Sequence, residues 1–153
     1  MRTIRLSRPV LLGLGIVGLS VAGGLLPVVG QAKEGCSLAT LHGAFGTRET
    51  GTIPGPDGSR LEIAIVARVV FDGRGHFSGA DTASIGGQIA RNETFAGTYT
   101  VTADCAGSET GTAKSTGLVF HEDFVVTDHG QQAYLIGTDP GTVLSGTASK
   151  QED

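Results

Sequence analysis

The stretch RLEIAIVARVVFD (Arg60–Asp72) limits the fold more than any other part of the chain. Leu61, Ile63, Ile65, Ala67, Val69 and Phe71 recur at a strict period of two and make one wholly apolar face. Successive side chains of an extended backbone point to opposite sides, so this spacing predicts a long strand and is incompatible with a helical period of 3.6. The other face mixes Arg60, Glu62, Arg68 and Asp72 with Ala64, Val66 and Val70, which predicts a surface that is partly covered. Further extended runs are expected at residues 41–52, 76–89, 94–103, 118–127, 132–138 and 142–150. A weaker Gly/Thr/Ser-rich run at 107–114 reads either as an edge strand or as a loop.

Between these runs stand PGPDG at 54–58, DGRG at 72–75, DHG at 128–130 and DPG at 139–141. Each joins a turn-forming residue to a glycine that tolerates positive φ, so each reads as a hairpin or tight loop. Short links imply antiparallel neighbours. An open antiparallel sheet would leave two unpaired edges, which favours a closed barrel, with a two-sheet sandwich as the alternative. Gly43, Gly79, Gly86, Gly87, Gly97 and Gly146 fall inside the expected strands and fit the sharp coiling of barrel walls.

One domain is expected, at residues 33–153, because no second composition regime interrupts it. The segment before it has the layout of a secretory signal: Arg2, Arg5 and Arg8, then an uncharged run rich in Leu, Val and Gly, then Gly30 and Ala32 placed for cleavage after Ala32. The alternative is an uncleaved membrane anchor, against which Pro27 and the glycines of the run argue. Lys33 and Glu34 do not suit a lipid anchor on Cys36. Without the three arginines of the segment, eight basic residues face fifteen acidic ones, a formal charge of −7. So acidic a chain repels phosphate backbones and excludes nucleic acid as a partner. A periplasmic or extracellular location follows, with no stable membrane insertion after cleavage; a homo-oligomer is compatible with it. Export would carry Cys36 and Cys105, the two cysteines of the chain, into an oxidising compartment, where they are expected to form a disulfide.

FDGRGHFSG at residues 71–79 has the ingredients of a phosphate cradle, but its spacing is G-x-G-x-x-x-G and a strand follows it. A dinucleotide loop needs G-x-G-x-x-G opening a helix, so the segment reads as a hairpin with Arg74 and His76 at its tip. The absence of G-x-S-x-G argues against the commonest hydrolase plan. Asn92-Glu93-Thr94 matches a glycosylation acceptor. His42 and His129 have no ligand spacing, and no metal or cofactor is expected.

Polar groups on the apolar faces are the informative ones. Glu49 shares parity with Leu41 and Phe45, Asp81 with Phe77, Ile85 and Ile89, Tyr99 with Phe95 and Val101, and Glu122 with Phe120 and Phe124. If these faces line a barrel, three carboxyl groups and a phenol point inward, suited to orienting a ligand or to acid/base work. Glu49, Asp81, Tyr99 and Glu122 are therefore the catalytic candidates, and Phe45, Ile65, Phe95, Tyr99, Phe120 and Phe124 the candidate ligand contacts. On the opposite face His121 and Asp123 form a second potential couple, for which a solvated surface is the simpler reading.

The ordered stretches CSLATLHGAFG, FDGRGHFSGADTASIGGQI, FAGTYTVTADCAGS, HEDFVV and TDPGTVLSGTASKQ span most of residues 36–151. Together they resemble a family of exported bacterial proteins with an allene oxide cyclase-like barrel. The resemblance implies an eight-stranded antiparallel up-and-down barrel with a central cavity, related in architecture to calycins and dirigent-type proteins. It transfers no catalytic residue. The expected function is binding of a small, largely apolar molecule in the cavity. The alternatives are a cofactor-free cyclase or isomerase using the cavity carboxylates, and a structural envelope protein whose barrel is filled by its own side chains.

Overall fold

The structure is a computed structural model that describes residues 35–152; the expected signal segment at residues 1–32 lies outside the described residues. Eight strands follow in up-and-down order: β1 (His42–Pro54), β2 (Arg60–Asp72), β3 (His76–Ile85), β4 (Gln88–Val101), β5 (Ala106–Ala113), β6 (Val119–Thr127), β7 (Gln132–Gly137) and β8 (Val143–Lys150). Each pairs antiparallel with its neighbour in sequence. β8 returns to β1, from Phe45↔Lys150 to Thr52↔Val143, and closes the barrel. Closure gives every ladder a partner on both sides, which removes the exposed edges of an open sheet and excludes the sandwich.

Three expectations are corrected in detail. The run at 76–89 is not one strand: Gly86 and Gly87, both at positive φ, make a two-residue turn, and Gln88 and Ile89 begin β4 opposite Ile85 and Ser84. Ile89 is consequently exposed rather than inward. The Gly/Thr/Ser-rich run is a full barrel strand, β5, paired on both sides. The second face of β2 is uncovered from Arg60 to Asp72, with Val66 56% exposed, because among the described residues no further layer packs on the outside of the wall. The hairpin reading of FDGRGHFSG agrees with the structure: Asp72 Oδ1 accepts hydrogen bonds from the backbone N–H of Arg74 (2.7 Å) and His76 (3.0 Å) between β2 and β3.

The interior divides into a packed half and a hollow half. At the packed end Leu41, Phe45, Phe71, Phe77, Tyr99, Phe124 and Val126 form a contiguous buried cluster. The 3-10 turn Leu38–Thr40 covers this end. The Tyr99 hydroxyl holds that turn to the wall, lying 2.9 Å from the Leu38 carbonyl and 3.0 Å from that of Leu41. A disulfide between Cys36 and Cys105 ties the same segment to the β4–β5 turn. Phe71 meets Phe45 and Tyr99 edge to face at 5.4 and 5.1 Å. Such pairs add about 0.5–1.5 kcal/mol each beyond the area they bury.

So many rings fit a narrow barrel because glycines face them. Phe95 pairs with Gly79, Phe77 with Gly97, Phe124 with Gly107 and Phe120 with Gly111. At Gly107 an added Cβ would lie 2.3 Å from the Phe124 ring, and at Gly111 2.2 Å from that of Phe120. Each ring thus lies over the strand beside it, on a place a side chain would otherwise fill.

Gly107→Ala is expected to lower the unfolding free energy by about 1–3 kcal/mol through overpacking, whereas Thr112→Ala on the outer face of β5 should change it by less than about 0.5 kcal/mol. Urea titration of both variants checks the contrast. Replacing Cys36 and Cys105 together by Ser is expected to cost about 2–4 kcal/mol in the same titration, since the bridge closes a long loop.

Candidate functional site

The hollow half is a cavity of about 610 Å³ that opens between the β1–β2, β3–β4, β5–β6 and β7–β8 turns. Ile63, Ile65, Ile85, Phe95, Phe120 and Leu144 supply much of its apolar wall. Its size falls within the usual range for small-molecule sites, about 300–1,000 Å³. The cavity stays open because inward positions on this half carry Ala67, Ala83, Ala90, Ala113 and Gly137 beside the larger residues.

Glu49, Glu109 and Glu122 face the cavity at the level where the packed half begins; all three are buried, at 6–8% exposure. Strand register brings them together. Glu109 and Glu122 stand directly opposite each other on β5 and β6. Glu49 pairs with Gly146 on β8 and Glu122 with Gly137 on β7, so no side chain intervenes at those two positions. Gly146 is decisive here, because an added Cβ would lie 2.3 Å from Glu49 Cγ.

Three carboxyls in so dry a place cannot all ionise. Burial, then the charge of Glu122 and the hydrogen bond Glu49 donates to it, push the Glu49 carboxyl up to about 9. Burial raises Glu122 to about 7, with the bond from Glu49 opposing and the neighbouring Glu109 charge assisting. Glu109 also reaches about 7, through burial and the charge of Glu49, against a hydrogen bond received from Glu122. Of the three, Glu49 therefore holds its proton to the highest pH, with Glu109 and Glu122 ionising before it. The Oε2 atom of Glu109 is buried with no hydrogen-bond partner.

A second tier stands nearer the mouth. Asp81 and Glu93 are directly opposed on β3 and β4, just beside a bulge at which Asn92 takes φ 56°. Burial and then the Glu93 charge raise Asp81. Glu93 is held below the usual carboxylate range by the side chain and backbone N–H of Ser115, the latter 2.8 Å away. At the rim His121 Nδ1 lies 2.7 Å from Asp139 Oδ1, and the His121 backbone N–H donates to Oδ2 at 3.0 Å. Among the described residues no group of three or more His, Cys, Asp or Glu is arranged to hold a metal ion.

Of the catalytic candidates, Glu49, Asp81 and Glu122 border the cavity, whereas Tyr99 lies in the packed end with its hydroxyl engaged by two backbone carbonyls. Of the candidate ligand contacts, Ile65, Phe95 and Phe120 border it. Phe45, Tyr99 and Phe124 belong to the packed cluster, because they sit on the closed-end side of the carboxyl level. His121 is coupled to Asp139, not Asp123, since the β7–β8 turn folds over the end of β6 while Asp123 stays on the outer wall. Glu109 and Glu93 escaped sequence reasoning. The inward neighbours of Glu109 are Gly107, Gly111 and Ala113, which give no apolar alternation to follow; Glu93 shares the parity of Phe95 and Tyr99 but lies one residue before the extended run expected at 94–103.

Because the folded chain holds protons that the unfolded chain has released above its ordinary glutamate pKa, stability declines as pH rises through the raised values. The melting temperature is expected to fall by roughly 5–15 °C between about pH 5 and about pH 9. Glu49→Gln should remove the upper part of that fall. A melting temperature that climbs across this window, in a calorimetric pH series, would contradict the arrangement.

No family model matches the chain, and neither does a curated protein. Among solved structures the same barrel occurs in a redesigned β-barrel designated b11L5F_LGL, at 19% identity and a TM-score of 0.54, covering 75% of this chain and 95% of that one. It occurs also in mFAP1, a redesigned β-barrel bound to DFHBI, at 19% identity and a TM-score of 0.53, covering 74% of this chain and 97% of that one. At this identity the likeness shows the eight-stranded antiparallel fold alone.

Proposed function

We propose that the barrel binds a small, largely apolar molecule in its cavity. The observation that carries this reading is the cavity of about 610 Å³ in a barrel of eight strands, walled by aliphatic and aromatic side chains and floored by buried carboxyls. Apolar walls supply affinity through burial, and a few polar groups at one end supply orientation. The unfilled volume argues against a purely structural barrel packed by its own side chains. That mFAP1 holds a small molecule supports the capacity of such a barrel to do so. The Cys36–Cys105 disulfide fits an oxidising, extracytoplasmic location, and no helix among the described residues is long and apolar enough to cross a membrane.

One observation favours a second reading, a cofactor-free cyclase or isomerase. Glu49 keeps its proton to about 9 while Glu109 and Glu122 ionise near 7, so a proton donor and acceptors stand side by side at the cavity floor. Such a site could hold a reactive conformer and move a proton within it.

Ala83 faces the cavity and stands apart from the residues packed at the closed end, and Ala83→Phe is expected to fill much of the space without disturbing that end. Native mass spectrometry of protein from its own host should show a co-purifying mass that this variant loses. Repeated spectra of the bare polypeptide would count against binding. Turnover that survives Glu49→Gln and Glu122→Gln would remove the carboxyls from the second reading.

A further inference from the structure

We infer that the molecule taken into the cavity is a cation: an apolar body bearing a protonated amine, whose N–H groups dock on the floor formed by Glu49, Glu109 and Glu122. The inference rests on the cavity-binding reading and specifies its ligand class. No lysine or arginine borders the cavity, so among the described residues the trio has no cationic partner there. Glu109 is 8% exposed, and its Oε2 is an acceptor without a donor. Native structures rarely leave such an atom unsatisfied, and a site built for a donor rejects molecules lacking one.

The surroundings keep one sign. β1 contributes Glu49, β3 Asp81, β4 Glu93, and the β7–β8 turn Asp139. β2, β7 and β8 bring no titratable side chain to the cavity wall. His121, next to Glu122 on β6, is turned to Asp139 at the rim, and Tyr99, opposite Glu109, is engaged at the packed end. Field lines of a uniformly acidic, low-dielectric cleft converge inside it and favour a positive guest. A fatty acid or another carboxylate would bring a further negative charge to a floor that already cannot ionise fully. A metal ion fits less well than an amine, since among the described residues no three carboxyls are arranged to hold one.

Docking of an ammonium group favours the ionised carboxyls, so binding releases protons and tightens as pH rises while the amine stays charged. The test uses three matched fluorescent probes on the full barrel: 1-naphthylmethylamine, 1-naphthalenemethanol and 1-naphthoic acid. The amine is expected to bind at least tenfold tighter than the other two near pH 7, with affinity increasing from about pH 5 to about pH 8. Calorimetry in buffers of different ionisation enthalpy should report proton release. Glu109→Gln, an isosteric change, should abolish the preference and the proton release by weakening the amine at least about tenfold; Glu122→Gln should do the same. Equal affinity for amine and alcohol, or tighter binding of the acid, overturns the cation and leaves the cavity reading standing. Binding of none of the three to a barrel shown folded by circular dichroism overturns both.

Discussion

Closure of β8 onto β1 is the constraint from which the rest of the structure follows. Once the sheet returns on itself, every alternate residue must enter a space of fixed and small diameter. Most of the large rings fit where the facing wall is bare: Phe77, Phe95, Phe120 and Phe124 each lie opposite a glycine. The same closure decides what cannot be filled: where inward positions carry alanine or glycine without a ring to lie on them, a cavity remains.

The two halves of the interior differ in what they contribute. The packed end, with Phe45, Phe71 and Tyr99 under the 3-10 turn and the disulfide beside it, concentrates apolar burial and cross-linking. Those contacts offset the cost of holding Glu49, Glu109 and Glu122 out of water at the floor of the other half. Residues kept in an environment that disfavours their charged form are what make this floor the candidate site of the barrel. In this barrel the strain is electrostatic, held in rigid strands, and placed at the boundary where a guest molecule would end.

The wall strand RLEIAIVARVVFD became β2 with the bounds its alternation implied, because period two and length leave no other regular structure available. Turn residues marked the β2–β3 hairpin equally well, through the Asp72 side chain that caps it. Glu49, Asp81 and Glu122 were legible as inward groups because apolar neighbours of the same parity announced the face. Glu109 was not, since its strand has glycine and alanine where apolar side chains would have shown the period. Ile89 was misplaced because two glycines inside an extended run read as coiling when they are in fact a turn.

The amino-acid sequence by itself determined most of the strands, their antiparallel order, the pairing of its two cysteines and the inward parity of most polar residues, because these depend on spacing along one chain. Only the tertiary structure decided that the wall closes, that Tyr99 belongs to the packed end, that His121 meets Asp139, and that three glutamates from β1, β5 and β6 share one floor. Those facts depend on which residues of distant strands come level with one another. That level is set by register and by the room that glycines such as Gly146 leave between strands, and neither quantity is carried by local pattern.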